Sequence, residues 1–429
     1  MRKTYLLLLL QVLVIISLLF ILGIAPRPLP TGLIRWDAVW YDTIRAHGYV
    51  YSDTQLNNTA FFPLFPLFWR LTHLGAIGIS LVNLLIGAGS IYMLWRGLRL
   101  RFEVVVLFAA FPSTLFLYLP YTEGLYFFFS SLVVLAVARR REQPWGLLAG
   151  LLGGALTRVA AFFYLPALAV LEGVEWLATP GTFWERFRRL FGYGLVTGAG
   201  LASVVVYQWY QTGVWFAFNK SQALWDHHFR LLPHLPFIST TENDGALWLD
   251  GLAVLVGLVA IVWVLWVVVG VARGTQPVPD RLLLFSATYL AATMAQTVLN
   301  APVEYGHSSL ISLNRYVFCS PFFLVVLDRV VPRQPVAWRT VALVLGGVLL
   351  TTVMVGAFTA KQFDIEWPTS KIPFLWGPVA GSAYALFVLI YGFLWLQTST
   401  RWGRVLVYAS SLAIQIFYLY TYAVGHWVG

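Results

Sequence analysis

Runs of about twenty apolar residues, separated by short polar stretches, set the rhythm of this chain. The first lies within "TYLLLLLQVLVIISLLFILGI"; others begin near Leu74, Val104, Tyr121, Trp145, Phe191, Leu247, Leu282, Tyr316, Val341, Phe374 and Val405. A helix of that length crosses the ~30 Å hydrocarbon of a bilayer, and inside lipid only helices or closed barrels satisfy their own backbone. The run from Trp145 to Leu171 contains Arg158 and Pro166 and has basic segments, "RRRE" and "WERFRR", on both flanks. A single crossing would put one of them on the wrong face, so a bent pair of short helices, entering and returning, is predicted. The pattern as a whole predicts about eleven to thirteen membrane helices. The first run is longer than a signal-peptide core, and Pro26 after Gly23 and Ala25 opposes cleavage. A retained first span is expected, with Arg2 and Lys3 in the cytoplasm.

Composition agrees with this pattern. Of 429 residues 59% are hydrophobic and 11% charged, with a mean hydropathy of +0.75; a soluble domain carries about a quarter charged residues. An all-α polytopic membrane protein is expected, one integral membrane domain over residues 1–429. The net charge of +10 raises the question of nucleic acid, but its distribution gives another answer. Segments assigned to the inner face carry eighteen basic and seven acidic residues, those assigned to the outer face nine and eleven. That is the positive-inside bias of a membrane protein, and no nucleic-acid partner is expected. The single cysteine, Cys319, excludes an intrachain disulfide and a cysteine-based metal cluster.

The longer polar segments, 25–73, 211–246, 300–315 and 359–373, fall on the expected outer face. In the first, "RWDAVWYDTIRAHGY" reads as a helix lying in the lipid–water interface, with Gly48 as its stop. Asp37, Trp40, Tyr41 and Ile44 share one face, and Asp42 points well round the helix. A carboxylate on an aromatic face needs a partner or a function. "FFPLFPLFWRL" follows, where Pro63 and Pro66 predict an extended, aromatic-lined return into the membrane. "LPYTEGLYF" places Tyr121 and Glu123 in a tight outer hairpin between two spans. "EYGHSSLISLNRY" supplies His307, Arg315 and Tyr316 where a span re-enters; Arg315 can snorkel or clamp a phosphate. Arg158, within an apolar segment, needs an acidic partner or an anionic ligand. The adjacent His227 and His228 lack a matching ligand pair for metal. Triplets for N-glycosylation occur at Asn57 and Asn219.

"RWDAVWYDTIRAHGY" with "FFPLFPL" resembles the pattern of PIG-V-type mannosyltransferases, membrane enzymes of the GT-C fold. "PYTEGLYF", "TRVAAFFYLP" and "NRYVF" resemble the same family in the same order, so the likeness runs over roughly residues 33–325. It implies a GT-C-like catalytic module over 1–325, with additional transmembrane helices over 326–429. It also implies that Asp37, the acid of the first outer loop, is the catalytic base. The donor would be a polyprenyl phosphate sugar, mannose by family likeness, and the acceptor a glycolipid or cell-envelope glycan. Transfer would invert the anomeric centre at the outer face, without metal or cofactor. The expected substrate-binding set is Arg35, Trp36, Tyr41, Asp42, Phe62, Tyr121, Glu123, Arg158, His307, Arg315 and Tyr316. Compact loops point to a bacterial inner membrane, with the site on its periplasmic side. A transporter or flippase of a lipid-linked glycan is the alternative; it predicts interrupted helices in matching halves and polar groups near the midplane.

Overall fold

The computed structural model describes residues 2–24, 32–139, 144–179, 181, 183–235, 237–238, 247–304, 306–354 and 377–428. The expected outer segment 359–373 lies outside them. The protein is an all-α polytopic membrane protein. Six described helices are long and apolar enough to cross a bilayer, and five shorter apolar ones accompany them.

In chain order the helices are α1 (Arg2–Ile24), α2 (Asp37–His47), α3 (Leu64–Thr72), α4 (Ala76–Leu98), α5 (Phe102–Ala109) and α6 (Glu123–Ala138). Then follow α7 (Pro144–Thr157), α8 (Tyr164–Ala178), α9 (Phe183–Thr212), α10 (Ala217–Leu224), α11 (Leu247–Ala272) and α12 (Arg281–Leu299). The last are α13 (Leu313–Phe318), α14 (Pro321–Val330), α15 (Trp338–Met354), α16 (Gly377–Leu396) and α17 (Arg401–Ala423). A two-residue ribbon, β1 (Val303–Glu304) on β2 (His307–Ser308), precedes α13.

Two stretches depart from the expectations, both at prolines. Residues 64–72 are helical and not extended: Pro63 is the N-cap of α3 and Pro66 sits in its first turn. There its missing N–H is one that no helix would satisfy, so the ring is tolerated. The apolar run from Val104 is not one continuous span. It breaks after α5, ahead of Pro112, into a 3₁₀ turn (Pro112–Leu117), because the residue before a proline is driven out of the helical region. Phe111 is extended accordingly.

The bent pair takes the expected form. Arg158 is extended between α7 and a 3₁₀ turn (Val159–Phe163) that leads into α8. Gly150 and Gly153 let α7 lie against α6, since a Cβ at either would sit within 2.7 Å of the Phe129 carbonyl or ring. At the basic face, Arg186 meets Glu172 and Glu175 at 2.8 and 2.9 Å, Arg281 pairs with Glu175, and Arg101 with Asp328 at 3.2 Å.

Candidate functional site

Four charged side chains from four distant segments meet in single file at the face opposite the basic one. Asp37 opens α2, where the helix N-terminus favours an acid. Its Oδ2 accepts from Arg315 Nη2 at 2.8 Å. Arg315 Nε lies 3.1 Å from Glu123 Oε1, and the same oxygen accepts from Arg158 Nη1. The order Asp37–Arg315–Glu123–Arg158 alternates in sign and is formally neutral. Arg315 and Glu123 are each 3% exposed, whereas the Asp37 side chain is 23% exposed. The file is therefore sealed at its centre and most open at Asp37, with the Arg158 side chain 15% exposed at the other end.

Its depth follows from helix lengths. Glu123 starts α6, whose sixteen residues lift it ~24 Å above the basic loop, just under the far boundary of a ~30 Å hydrocarbon layer. Charges at that depth hold together because each finds an opposite charge at close range.

Aromatic rings enclose the file. Rings of Phe116, Tyr121, Tyr316 and Trp427 lie 5.1–5.3 Å from the Arg315 guanidinium carbon, and Tyr316 lies 4.6 Å from that of Arg158. Such faces stabilise a desolvated cation. The Tyr316 hydroxyl also accepts from Arg315 Nη2 at 3.2 Å. Tyr41 is buried with its hydroxyl 3.3 Å from Thr122 Oγ1. Burial, and then the Asp37 charge, push its phenol up, so it stays protonated.

Local backbone geometry aims the two ends. Trp36, just before Asp37, has φ 52°, and Ser312, just before α13, has φ 72°. Both conformations are strained without a glycine. Trp36 packs edge-on against Trp427 at 5.5 Å. The Arg35 carbonyl accepts from the hydroxyls of Tyr121 and Tyr422 at 3.2 and 3.1 Å. Behind Arg315, buried Asp250 on α11 accepts from the Asn314 backbone N–H at 2.7 Å and from Nδ2 at 3.0 Å. Two buried donors, Arg315 Nη1 and Trp427 Nε1, have no acceptor among the described residues.

Of the expected set, Asp37, Glu123, Arg158, Arg315 and Tyr316 converge directly, while Tyr41, Tyr121, Trp36 and the Arg35 backbone form the surround. Three residues are held elsewhere. Asp42 pairs with Arg45 at 2.7 Å on the outer side of α2. Phe62 packs edge-on against Phe218, and His307 stands in the ribbon opposite Glu304. Sequence reasoning missed Trp427, Tyr422, Phe116, Thr122 and Asp250. The aromatic ones have no local signal in an aromatic-rich chain; Asp250, an acid at the start of an apolar run, did. Among the described residues no three His, Cys, Asp or Glu group to hold a metal ion. Asn57 is 5% exposed, with its amide donating to the Ser52 and Gln55 carbonyls, whereas Asn219 is exposed. No family model, curated protein or solved structure matches the chain.

Proposed function

We propose that the protein is an inverting, GT-C-type glycosyltransferase that moves a sugar, mannose by family likeness, from a polyprenyl phosphate to a membrane-associated glycan acceptor. The working face is the one opposite the basic loops, the periplasmic side of a bacterial inner membrane. One observation carries this reading: Asp37 keeps one carboxylate oxygen on Arg315 while the side chain stays partly open, at the more exposed end of a charge file buried at its centre.

The reaction balances with these groups. The acceptor hydroxyl oxygen attacks the anomeric carbon, the bond from that carbon to the phosphate oxygen breaks, and Asp37 takes the hydroxyl proton. Polyprenyl phosphate leaves with one more negative charge than it carried in the donor. Protonation of Asp37 removes the anion that Arg315 was neutralising, so the Arg315 charge is released as the phosphate gains its own. Arg315 Nη1 and Trp427 Nε1 are donors able to meet that phosphate. Transition-state charge is thus stabilised by a guanidinium that the ground state holds in balance.

A second reading has its own observation. Three interrupted helices, at the 3₁₀ turn after α5, at Arg158 and between α13 and α14, meet around the file, and transporters build binding sites from broken helices. Purified protein in vesicles, given radiolabelled polyprenyl phosphate sugars and glycan acceptors, separates the two. The transferase reading expects Asp37→Asn to cut transfer by about 10²–10⁴-fold with donor binding kept. Full transfer by that variant removes Asp37 as base. Movement of lipid-linked glycan across the bilayer without transfer selects the transporter.

A further inference from the structure

Between α10 and α11 the chain runs through "FRLLPHL", residues 229–235, and turns its only guanidinium inward. The Arg230 backbone N–H donates to the Leu299 carbonyl at 2.7 Å, and Nη1 to the Ala301 carbonyl at 2.8 Å. Nη2 reaches both Asp226 carboxylate oxygens at 3.1 and 3.2 Å. The apolar side chains point the other way: Phe229, Leu231, Leu232 and Leu235 are 68, 74, 79 and 53% exposed. This is a fixed arrangement, since the His234 carbonyl accepts from the Ser308 N–H and the His234 N–H donates to Ser308 Oγ, each at 3.0 Å. Four large apolar side chains exposed within seven residues, with the one strong charge paired, do not suit water.

Height decides what covers it. Leu299 ends α12, whose first residue, Arg281, pairs with Glu175 at the basic face. The nineteen residues of that helix rise ~28 Å, close to the ~30 Å thickness of the hydrocarbon. The carbonyl that staples Arg230 therefore lies where the acyl chains of the opposite leaflet begin. We infer that residues 229–235 form a re-entrant lip embedded in that leaflet, with the four apolar side chains among lipid acyl chains. Its base is Trp225, edge-on to Trp40 and Phe61 at 5.9 and 6.0 Å. The lip thus stands beside α2, the helix that carries Asp37. A lipid-borne molecule approaching α2 from this side crosses an oily sill.

The inference is independent of which reaction the site performs, and its test reads no activity. Cys319 is buried and so inert to labelling, which leaves a cysteine introduced at an exposed position as the reactive one. Nitroxide labels go on Leu231→Cys and Leu232→Cys, with Thr54→Cys in the exposed polar loop as reference, each in lipid nanodiscs. At 231 and 232 oxygen is expected to relax the label more strongly than a water-soluble nickel chelate, with the opposite order at 54. Chelate access at 231 and 232 equal to that at 54 overturns the lip. Shielding from both reagents also overturns it, because the cover is then protein.

Discussion

Charge is gathered at both ends of this bundle, but in different ways. At the basic face the ion pairs form a mesh. Arg186 touches both Glu172 and Glu175, Glu172 also meets Arg189 at 3.6 Å, and Glu175 also meets Arg281. Asp328 is shared by Arg101 and Arg329. Glu172 can be lost without stranding either partner, since Arg186 keeps Glu175 and Arg189 keeps Glu185. At the opposite face the file is single, and Glu123 is the one acid between two enclosed arginines. Redundant pairing beside water fixes topology and helix ends. Non-redundant pairing inside an aromatic enclosure spends stability on holding charges in one place, as a reactive site requires.

The sharpest way to break that contrast is to remove the same group from each assembly. Among the described residues, Glu123→Gln leaves Arg158 without an acidic partner and Arg315 with Asp37 alone, and a destabilisation of about 3–5 kcal/mol is expected from leaving buried charge uncompensated. Glu172→Gln leaves Arg186 on Glu175 and Arg189 on Glu185, and about 1 kcal/mol or less is expected. Unfolding midpoints of the two variants in one detergent measure the difference. Equal losses would mean that the file is no more committed than the mesh.

How far this contrast can be read before folding depends on how rare charge is in the chain. Asp37, Glu123, Arg158 and Arg315 are visible because each borders or interrupts an apolar run, where an ionisable group demands a partner. Their pairing is not visible: residues 37, 123, 158 and 315 meet only when α2, α6, the break after α7 and α13 pack. Trp427 and Tyr422 come from the far end of the chain and carry no local mark among so many aromatics. The prolines mislead for a related reason. Pro66, read as a break, occupies the third position of α3, where a proline does no harm. Which turn comes first is set by packing, and a pattern of residues does not contain it.

A second, smaller contrast lies in two aspartates that cap helices at opposite ends. Asp280 accepts from the Leu282 and Leu283 N–H groups at the basic face and is 41% exposed on its side chain. Asp250 reaches across from α11 to the start of α13 and is 1% exposed. Water replaces the first cap, so Asp280→Ala is expected to cost about 1 kcal/mol. Asp250→Ala leaves the Asn314 donors buried and unmet, at about 1–3 kcal/mol for each, and lets α13 shift Arg315 away from Asp37. Asp250→Asn keeps an acceptor oxygen in place and should restore most of that loss. If Asp250→Asn falls as far as Asp250→Ala, the role of Asp250 is not that of a neutral acceptor, and a charge at this position has to be explained.

The smallest effect tests a carboxylate outside both assemblies. The Val303 backbone N–H, then Arg230, hold the Asp226 carboxyl below its ordinary value of 3.8. A group whose value is lowered on folding contributes stability that is complete above the unfolded value and is lost as pH falls through the folded one. The tie between the α10 loop and β1 should therefore persist below the ordinary carboxyl value and loosen only in stronger acid. Hydrogen exchange at the Val303 amide reads this directly, because that N–H donates to Asp226 Oδ2 at 2.7 Å. Protection at neutral pH that disappears in acid is the expected course, and Asp226→Asn should lower the neutral value and abolish the acid transition. An acid transition that survives in Asp226→Asn would assign the pH response to another group and leave the lip's attachment to its backbone bonds alone.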